Sequence, residues 1–381
     1  MKQRSANKTI LFLPFLQIPS GHHQVARALL EGIQKSQPNI ICESVDILSY
    51  SYGKAESIVS NVYLKWIHSF PGLYSLIYSN TVYKNVNKQK HYRIFELLFL
   101  PFIKKLLKQK TPTLIVCTHA LPSYMLNCLK EKKELTIPVI NVYTDYFIHQ
   151  LWGIEHIDYH FVSSQEMKDF LQLKGVKEEQ IFVTGVPIHN KINKQKEPLM
   201  EREASSTLKI LIAGGNLGAG LIEKLVKKIN YNSEFHYYVL CGTNKKLYDR
   251  ILKLGNNNIT PLHYITCKEQ MNELYDHVDA IVTKPGGVTI SECLFKRKPI
   301  FLYHALPGQE EINMQTLERL GVISHLKGWE EDDKSLEDEI YSFFNDNQQL
   351  RTNQNRIAEY HQLVNTKEPA EIIEELLAAR S

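Results

Sequence analysis

At 381 residues the chain is too long for one ordinary hydrophobic core and suits two domains of about 150–200 residues each. Its composition, 43% hydrophobic and 23% charged, is globular, which excludes a disordered or fibrous protein. The net charge of +4 is unevenly held: residues 1–190 carry 21 Lys and Arg against 14 Asp and Glu, and residues 191–381 carry 24 against 27, so the excess calls for an anionic partner of the first half.

The N-terminus is basic and then apolar. The apolar run is short, lacks a small-x-small cleavage site and leads straight into a helix signal, so a first β-strand is expected rather than a signal peptide. Strand-like apolar runs follow at 10–16, 39–45, 113–117, 138–143, 159–162 and 180–185, and again at 208–214, 235–242, 279–284 and 299–304. Between them lie amphipathic helix candidates at 22–36, 221–229 and 291–298. Strands apolar on all sides alternating with helices describe an α/β protein with parallel sheets covered on both faces. The charged interval 191–207 has no sustained apolar face and reads as a linker between domains at 1–190 and 208–365. The C-terminal stretch is helical by pattern; a final helix in 366–381 has Pro369 near its start and an acidic first turn, and packing back on the N-terminal domain is one option for it.

The six cysteines (Cys42, Cys117, Cys128, Cys241, Cys267, Cys293) form no C-x-x-C pair and read as reduced, buried thiols, with neither a disulfide framework nor a zinc site. No run of 18 uninterrupted apolar residues exists, since 94–103 is broken by Glu96 and Pro101. The expected location is cytoplasmic. Residues 50–110 contain no convincing strand, yet 12 of the chain's aromatic residues fall between Tyr50 and Phe102. Between 81 and 110, Lys84, Lys88, Lys90, Arg93, Lys104, Lys105, Lys108 and Lys110 face the single acid Glu96. Aromatics interleaved with cations suit the headgroup zone of an anionic bilayer. An ordinary helix pair with aromatic cores and solvated lysines fits the same composition. No recognised nucleic-acid motif accompanies the charge.

Four junctions carry chemistry. Gly21-His22 joins the first strand to a helix, where N–H groups and a positive helix end meet a ligand; a structural histidine explains it as well. Gly214 to Gly220, with Gly215 and Asn216, follows a strand but lacks the Lys-Ser/Thr of a P-loop, and no acid stands after Cys241-Gly242-Thr243 for an adenosine ribose. The loop denotes a phosphate-like ligand or a tight turn. Lys284-Pro285-Gly286-Gly287-Val288-Thr289 opens a helix N-terminus to a diphosphate, and Glu292 lies a turn in, where a carboxylate can accept ribose hydroxyls. Pro307-Gly308-Gln309-Glu310 offers an amide and a carboxylate to sugar hydroxyls at another strand–helix junction.

TKPGGVTISE followed by PGQEE resembles glycosyltransferase family 28, in particular the branch of bacterial processive diacylglycerol glucosyltransferases and plant monogalactosyldiacylglycerol synthases. In the first half Gly21-His22, the segment from Thr144-Asp145 to His149 and Trp152, and Gly185-Val186-Pro187 resemble the family's motifs, so the likeness runs from about residue 10 to 325. The chain departs from the family before His22, where Ile18-Pro19-Ser20 replaces a glycine-rich loop with more rigid or bulkier positions that narrow the acceptor side.

The resemblance implies a GT-B enzyme, two Rossmann-like parallel-sheet domains facing a central cleft, with C-terminal helices. It implies inverting transfer of a hexose from a UDP-sugar, UDP-glucose first, to a lipid acceptor such as diacylglycerol, by a protein peripherally attached to an anionic membrane surface. Inverting transfer needs a base and stabilisation of the departing diphosphate. His22 takes the base role with Asp145 holding or charging it, and His149 is a neighbouring candidate; the division between His22 and Asp145 stays open. Gly286 and Gly287, with Gly215, are the expected diphosphate contacts, Glu292 the ribose contact, and Gln309 and Glu310 the sugar contacts, with Asn216, Lys284 and Thr289 also on the donor-binding side. Gly21, Trp152, Lys84, Lys88, Arg93, Lys104 and Lys105 fall on the acceptor or membrane side. No D-x-D pair stands at a strand end, so no metal is expected, nor a cofactor beyond the co-substrate UDP-sugar, nor a nucleic-acid partner; the oligomeric state is open. Two other classes remain: a UDP-sugar epimerase of the same fold, and a UDP-sugar-responsive regulatory protein without transfer activity.

Overall fold

The computed structural model describes residues 8–15, 21–52, 91–195, 207–214, 221–230, 234–331 and 335–379. They divide into two compact units. The first holds the residues up to His189 together with Pro307–Gln309 and Leu363 onward; the second holds Asn190–Leu306 and Glu310–Gln362.

In the first unit β1 (Thr9–Leu13), β2 (Ile41–Ser44), β3 (Leu114–Cys117), β4 (Val139–Val142), β5 (Tyr159–Val162) and β6 (Ile181–Val183) form one parallel sheet in the order β2-β1-β3-β4-β5-β6. Ile10 of β1 lies opposite Cys42 on one side and Leu114 on the other. Strands β3 and β4 are buried at every position, because neighbours flank both edges and helices cover both faces. The crossovers contain α1 (Gly21–Ser36), α2 (Ile47–Tyr52), α3 (Arg93–Lys110), α4 (Ala120–Glu131) and α5 (Gln165–Leu173). Start signals are local: Ser164 caps α5 by accepting from Met167 N, with Glu166 in the first turn.

The second unit repeats the plan with β7 (Leu208–Ala213), β8 (Phe235–Leu240), β9 (Ile259–Leu262), β10 (Ala280–Thr283), β11 (Ile300–Leu302) and β12 (Ser324–His325), in the order β12-β11-β10-β7-β8-β9. Its helices are α6 (Ile222–Lys227), α7 (Lys245–Lys253), α8 (Lys268–His277), α9 (Gly287–Phe295), α10 (Gln309–Leu320), α11 (Leu336–Asn345) and α12 (Asn347–Leu363). Ile210, Ile212, Tyr237, Val282, Phe301 and Phe343 anchor one contiguous core. The helix expected to be amphipathic at 291–298 is instead α9, buried along almost its whole length. Strands β9 and β12 carry no clear apolar run; β9 contains Pro261, which a sheet edge tolerates because one side of the strand needs no donor.

The final helix α13 (Pro369–Ala378) belongs to the first unit and packs on α1. Gly32 leaves room for Ala370 there, and the side chains of Ser36 and Glu374 bond. A capping box of Glu368 and Glu371 starts α13. Within 191–207, Asn193 and Gln195 are tied to the second unit through Asn272 and Phe295, and 196–206 lie outside the described residues.

In both sheets the strand order reverses beside the first strand. β1 sits between β2 and β3, and β7 between β8 and β10. In open α/β sheets a ligand crevice lies outside the carboxyl ends of the strands at such a point. Each unit therefore has one such point.

Candidate active site

In the first unit the carboxyl ends of β1 and β3 lead to His22, in the first turn of α1, and to Thr118-His119 before α4. His22 Nδ1 lies 2.8 Å from the Thr118 carbonyl oxygen and 2.9 Å from Thr144 Oγ1. A carbonyl only accepts, so Nδ1 carries the hydrogen and Nε2 keeps its lone pair. The holding contact thus comes from the Thr118 main chain, while Asp145, at 9% exposure, acts on His22 through its charge. Burial pushes the His22 imidazole below its ordinary value, and Asp145 and the Thr118 bond oppose that fall.

Three more histidines share the neighbourhood. His119 caps α4, its Nδ1 accepting from Leu121 N at 3.2 Å, and its ring meets that of His22 edge to face at 4.7 Å. Burial, then the charges of His22, His149 and His23, hold it well below the usual range. His149 is lowered to about 4 by burial, with Asp145 opposing. Asp145 accepts from Gln309 Nε2 at 2.7 Å; Gln309 groups with the first unit, where it meets this carboxylate. Trp152 is 6% exposed and packs on Tyr143 at 4.5 Å, so its ring supports the segment behind His149 and is not available at a membrane surface. Gly21 is the first residue of α1.

In the second unit Gly286 caps α9 without a side-chain bond and is exposed, and a Cβ there would meet open space. The first N–H groups of α9, from Gly287 to Thr289, form the positive end of a nine-residue helix that follows β10. Such an end favours a negative charge. Asn313 of α10 braces the junction by donating to the Pro285 carbonyl at 3.1 Å. Lys284 is half-buried beside His304, whose imidazole is lowered by burial first and by the Lys284 charge second. Glu292, 4% exposed, accepts from Lys268 Nζ at 2.9 Å and from Tyr275 Oη at 2.8 Å. Each oxygen retains a second lone pair for a hydroxyl, but the carboxylate is already paired. Glu310 Oε2 accepts from Leu306 N at 2.7 Å and so closes the loop that contains Gly308 in a left-handed conformation. Gly214 ends β7 with no room for a Cβ, which would collide with Ile222; Gly215 and Asn216 lie outside the described residues.

Lys84 and Lys88 also lie outside the described residues. Helix α3 buries Phe99, Ile103 and Leu106 and exposes Leu97 (78%), Leu98, Lys104 and Lys105, with Arg93 exposed at its start. Lys104 pairs with Glu134 at 2.5 Å. Among the described residues no helix is long and apolar enough to cross a membrane, and no group of three or more His, Cys, Asp or Glu is arranged to hold a metal ion. All six cysteines are free; Cys42 and Cys267 are only half-buried.

Thr118, His119, Lys268, Tyr275 and Asn313 escape the motif reading, and Thr144 falls within a motif segment without a role read for it. Thr118-His119 stands at a strand–helix junction like that of Gly21-His22, a signal that was present; Lys268 and Tyr275 carry none.

The family model for monogalactosyldiacylglycerol (MGDG) synthase matches residues 22–188, and that for the glycosyltransferase family 28 C-terminal domain matches residues 209–375. An uncharacterized glycosyltransferase, YkoN of Bacillus subtilis (strain 168), is 42% identical over 345 residues and 90% of each chain. A processive diacylglycerol beta-glucosyltransferase of Bacillus cereus (strain G9842) is 27% identical, over 79% of this chain and 78% of its own. Among solved structures, Acinetobacter baumannii MurG aligns with a TM-score of 0.62 over 98% of this chain and 99% of its own at 13% identity. The glycosyltransferase SnogD from Streptomyces nogalater aligns with 0.57 over 99% and 100%, also at 13%. The chain belongs to glycosyltransferase family 28 and is a hexosyltransferase with the GT-B fold.

Proposed function

We propose that the protein transfers glucose from UDP-glucose to the hydroxyl of a lipid acceptor such as diacylglycerol, with inversion. The observation that carries the base role is the bond between His22 Nδ1 and the Thr118 carbonyl, which leaves Nε2 to take a proton. The acceptor O–H gives its proton to Nε2 as its oxygen forms the new bond to the anomeric carbon. The bond from that carbon to the β-phosphate oxygen breaks, and the electron pair leaves with UDP. The N–H groups at Gly287 to Thr289 stabilise that charge through the end of α9, and the reading calls for no divalent metal. Asp145 favours the imidazolium that forms, by its charge.

The lipid acceptor is supported by likeness to the diacylglycerol glucosyltransferases. Attachment to an anionic membrane is supported by the exposed face of α3, where Leu97 and Leu98 precede Lys104 and Lys105. The test is purified protein with a panel of UDP-sugars and diacylglycerol in anionic vesicles. Glucosyl lipid and UDP are the expected products. Isomerised sugar from UDP-sugar alone, without lipid product, would replace this reading by epimerisation. Flotation with anionic vesicles at low and high salt tests the membrane part; failure to bind under both conditions rejects it.

A further inference from the structure

We propose that His119 is a positioning residue: its ring holds the His22 imidazole in the orientation that presents Nε2 to the acceptor hydroxyl. The inference rests on the base role of His22. A hydrogen bond to one ring nitrogen fixes the direction of that N–H but leaves the ring free to tilt about it. The Thr118 carbonyl and Thr144 Oγ1 both meet Nδ1, and His119, the residue after Thr118, supplies a ring set at 80° to that of His22 with centroids 4.7 Å apart. Thr118 therefore sets the tautomer and His119 the plane.

The His119 ring is itself fixed on two sides. Its Nδ1 accepts from Leu121 N at the start of α4, which assigns the hydrogen to Nε2. Phe15, just beyond β1, stacks on it at 4.8 Å and 29°, and Phe99 of α3 meets Phe15 edge-on at 6.0 Å. The column Phe99–Phe15–His119–His22 thus ends on the base. The charged and titratable groups facing this pair are Asp145, His23 and His149. Burial and the neighbouring imidazoles keep His119 neutral, so it packs as a ring and adds no fixed positive charge.

Two variants separate this role from simple helix capping. His119→Asn keeps an acceptor suited to the N-cap but removes the ring, whereas His119→Phe keeps the ring and removes the cap. With UDP-glucose and diacylglycerol vesicles, H119N is expected to melt near the wild type and to lose about 10–100-fold in kcat with KM for UDP-glucose unchanged. H119F is expected to be less stable, yet to recover most of that kcat. NMR titration of labelled histidine should show the His22 midpoint rising toward the ordinary imidazole value in H119N, as water reaches the ring. H119N with wild-type kcat and unchanged His22 signals overturns the proposal, and so does H119F that folds but is as slow as H119N. If the His22 signals move in H119N while His22→Ala leaves transfer intact, the positioning stands and the base reading fails.

Discussion

At the switch point of the first sheet the groups facing the strand ends are titratable side chains: His22, His119, His149 and Asp145. At that of the second sheet they are the N–H groups of a glycine-capped helix, and the nearby carboxylates are already engaged, Glu292 by Lys268 and Tyr275 and Glu310 by Leu306 N. Under the proposed function, one fold plan serves proton chemistry in one unit and anion binding in the other. The proposed donor site is also compatible with the acidic balance of the second half. Main-chain N–H groups bind a diphosphate without bulk positive charge, so the half with more acid than base can hold the anion.

The strongest attempt to break this contrast is His22→Ala. Transfer should fall by about 10²–10⁴-fold while UDP binding, read by thermal shift, stays within a few-fold. Equal losses in both would mean that His22 supports the fold and not the chemistry. The next effect is on acid stability. His149 and His160 are lowered by burial to about 4 and about 3 from an ordinary 6.5. Between those values and about 6.5 the unfolded chain binds more protons, so stability is present above the window and is lost as pH falls through it, by up to about 1.4 kcal/mol per pH unit for each group. Urea melts from pH 7 to pH 4 measure it, and His160→Asn should flatten the slope; a level profile in the wild type contradicts the burial argument.

The two glycines of the second unit sharpen the comparison further. Gly214→Ala should cost about 1–3 kcal/mol in a denaturant melt, because the methyl group collides with Ile222. Gly286→Ala faces open space and should leave the melt unchanged, yet raise KM for the UDP-sugar by about 2–10-fold as the methyl group intrudes on the anion. A Gly286→Ala enzyme with wild-type KM would remove α9 from the donor site. The smallest effect is with EDTA: transfer rates should not change, and a loss restored by added magnesium would refute the metal-free reading.

Contiguous residues made much of this protein legible. The central strands were readable because burial on both faces writes an uninterrupted apolar run, and the helix start at 286–287 because a Pro-Gly-Gly turn directly follows such a run. Strands β9 and β12 were not, since one holds a proline at a sheet edge and the other spans two residues. Helix α9 looked amphipathic because Lys296 and Lys298 follow it, but both lysines are buried, on Asp276 and on the Val278 carbonyl.

By itself the sequence determined the two α/β units, the uneven charge and the family, because periodicity, composition and motif spacing belong to neighbouring residues. Only the tertiary structure decided which nitrogen of His22 is free, which ring lies against it and which partners occupy Glu292. His22 and Thr118 stand 96 residues apart in the chain, and Glu292 and Lys268 stand 24 apart. A hydrogen bond acts over about 3 Å, so its partners are set by how the strands are ordered in the sheet and not by their order in the chain.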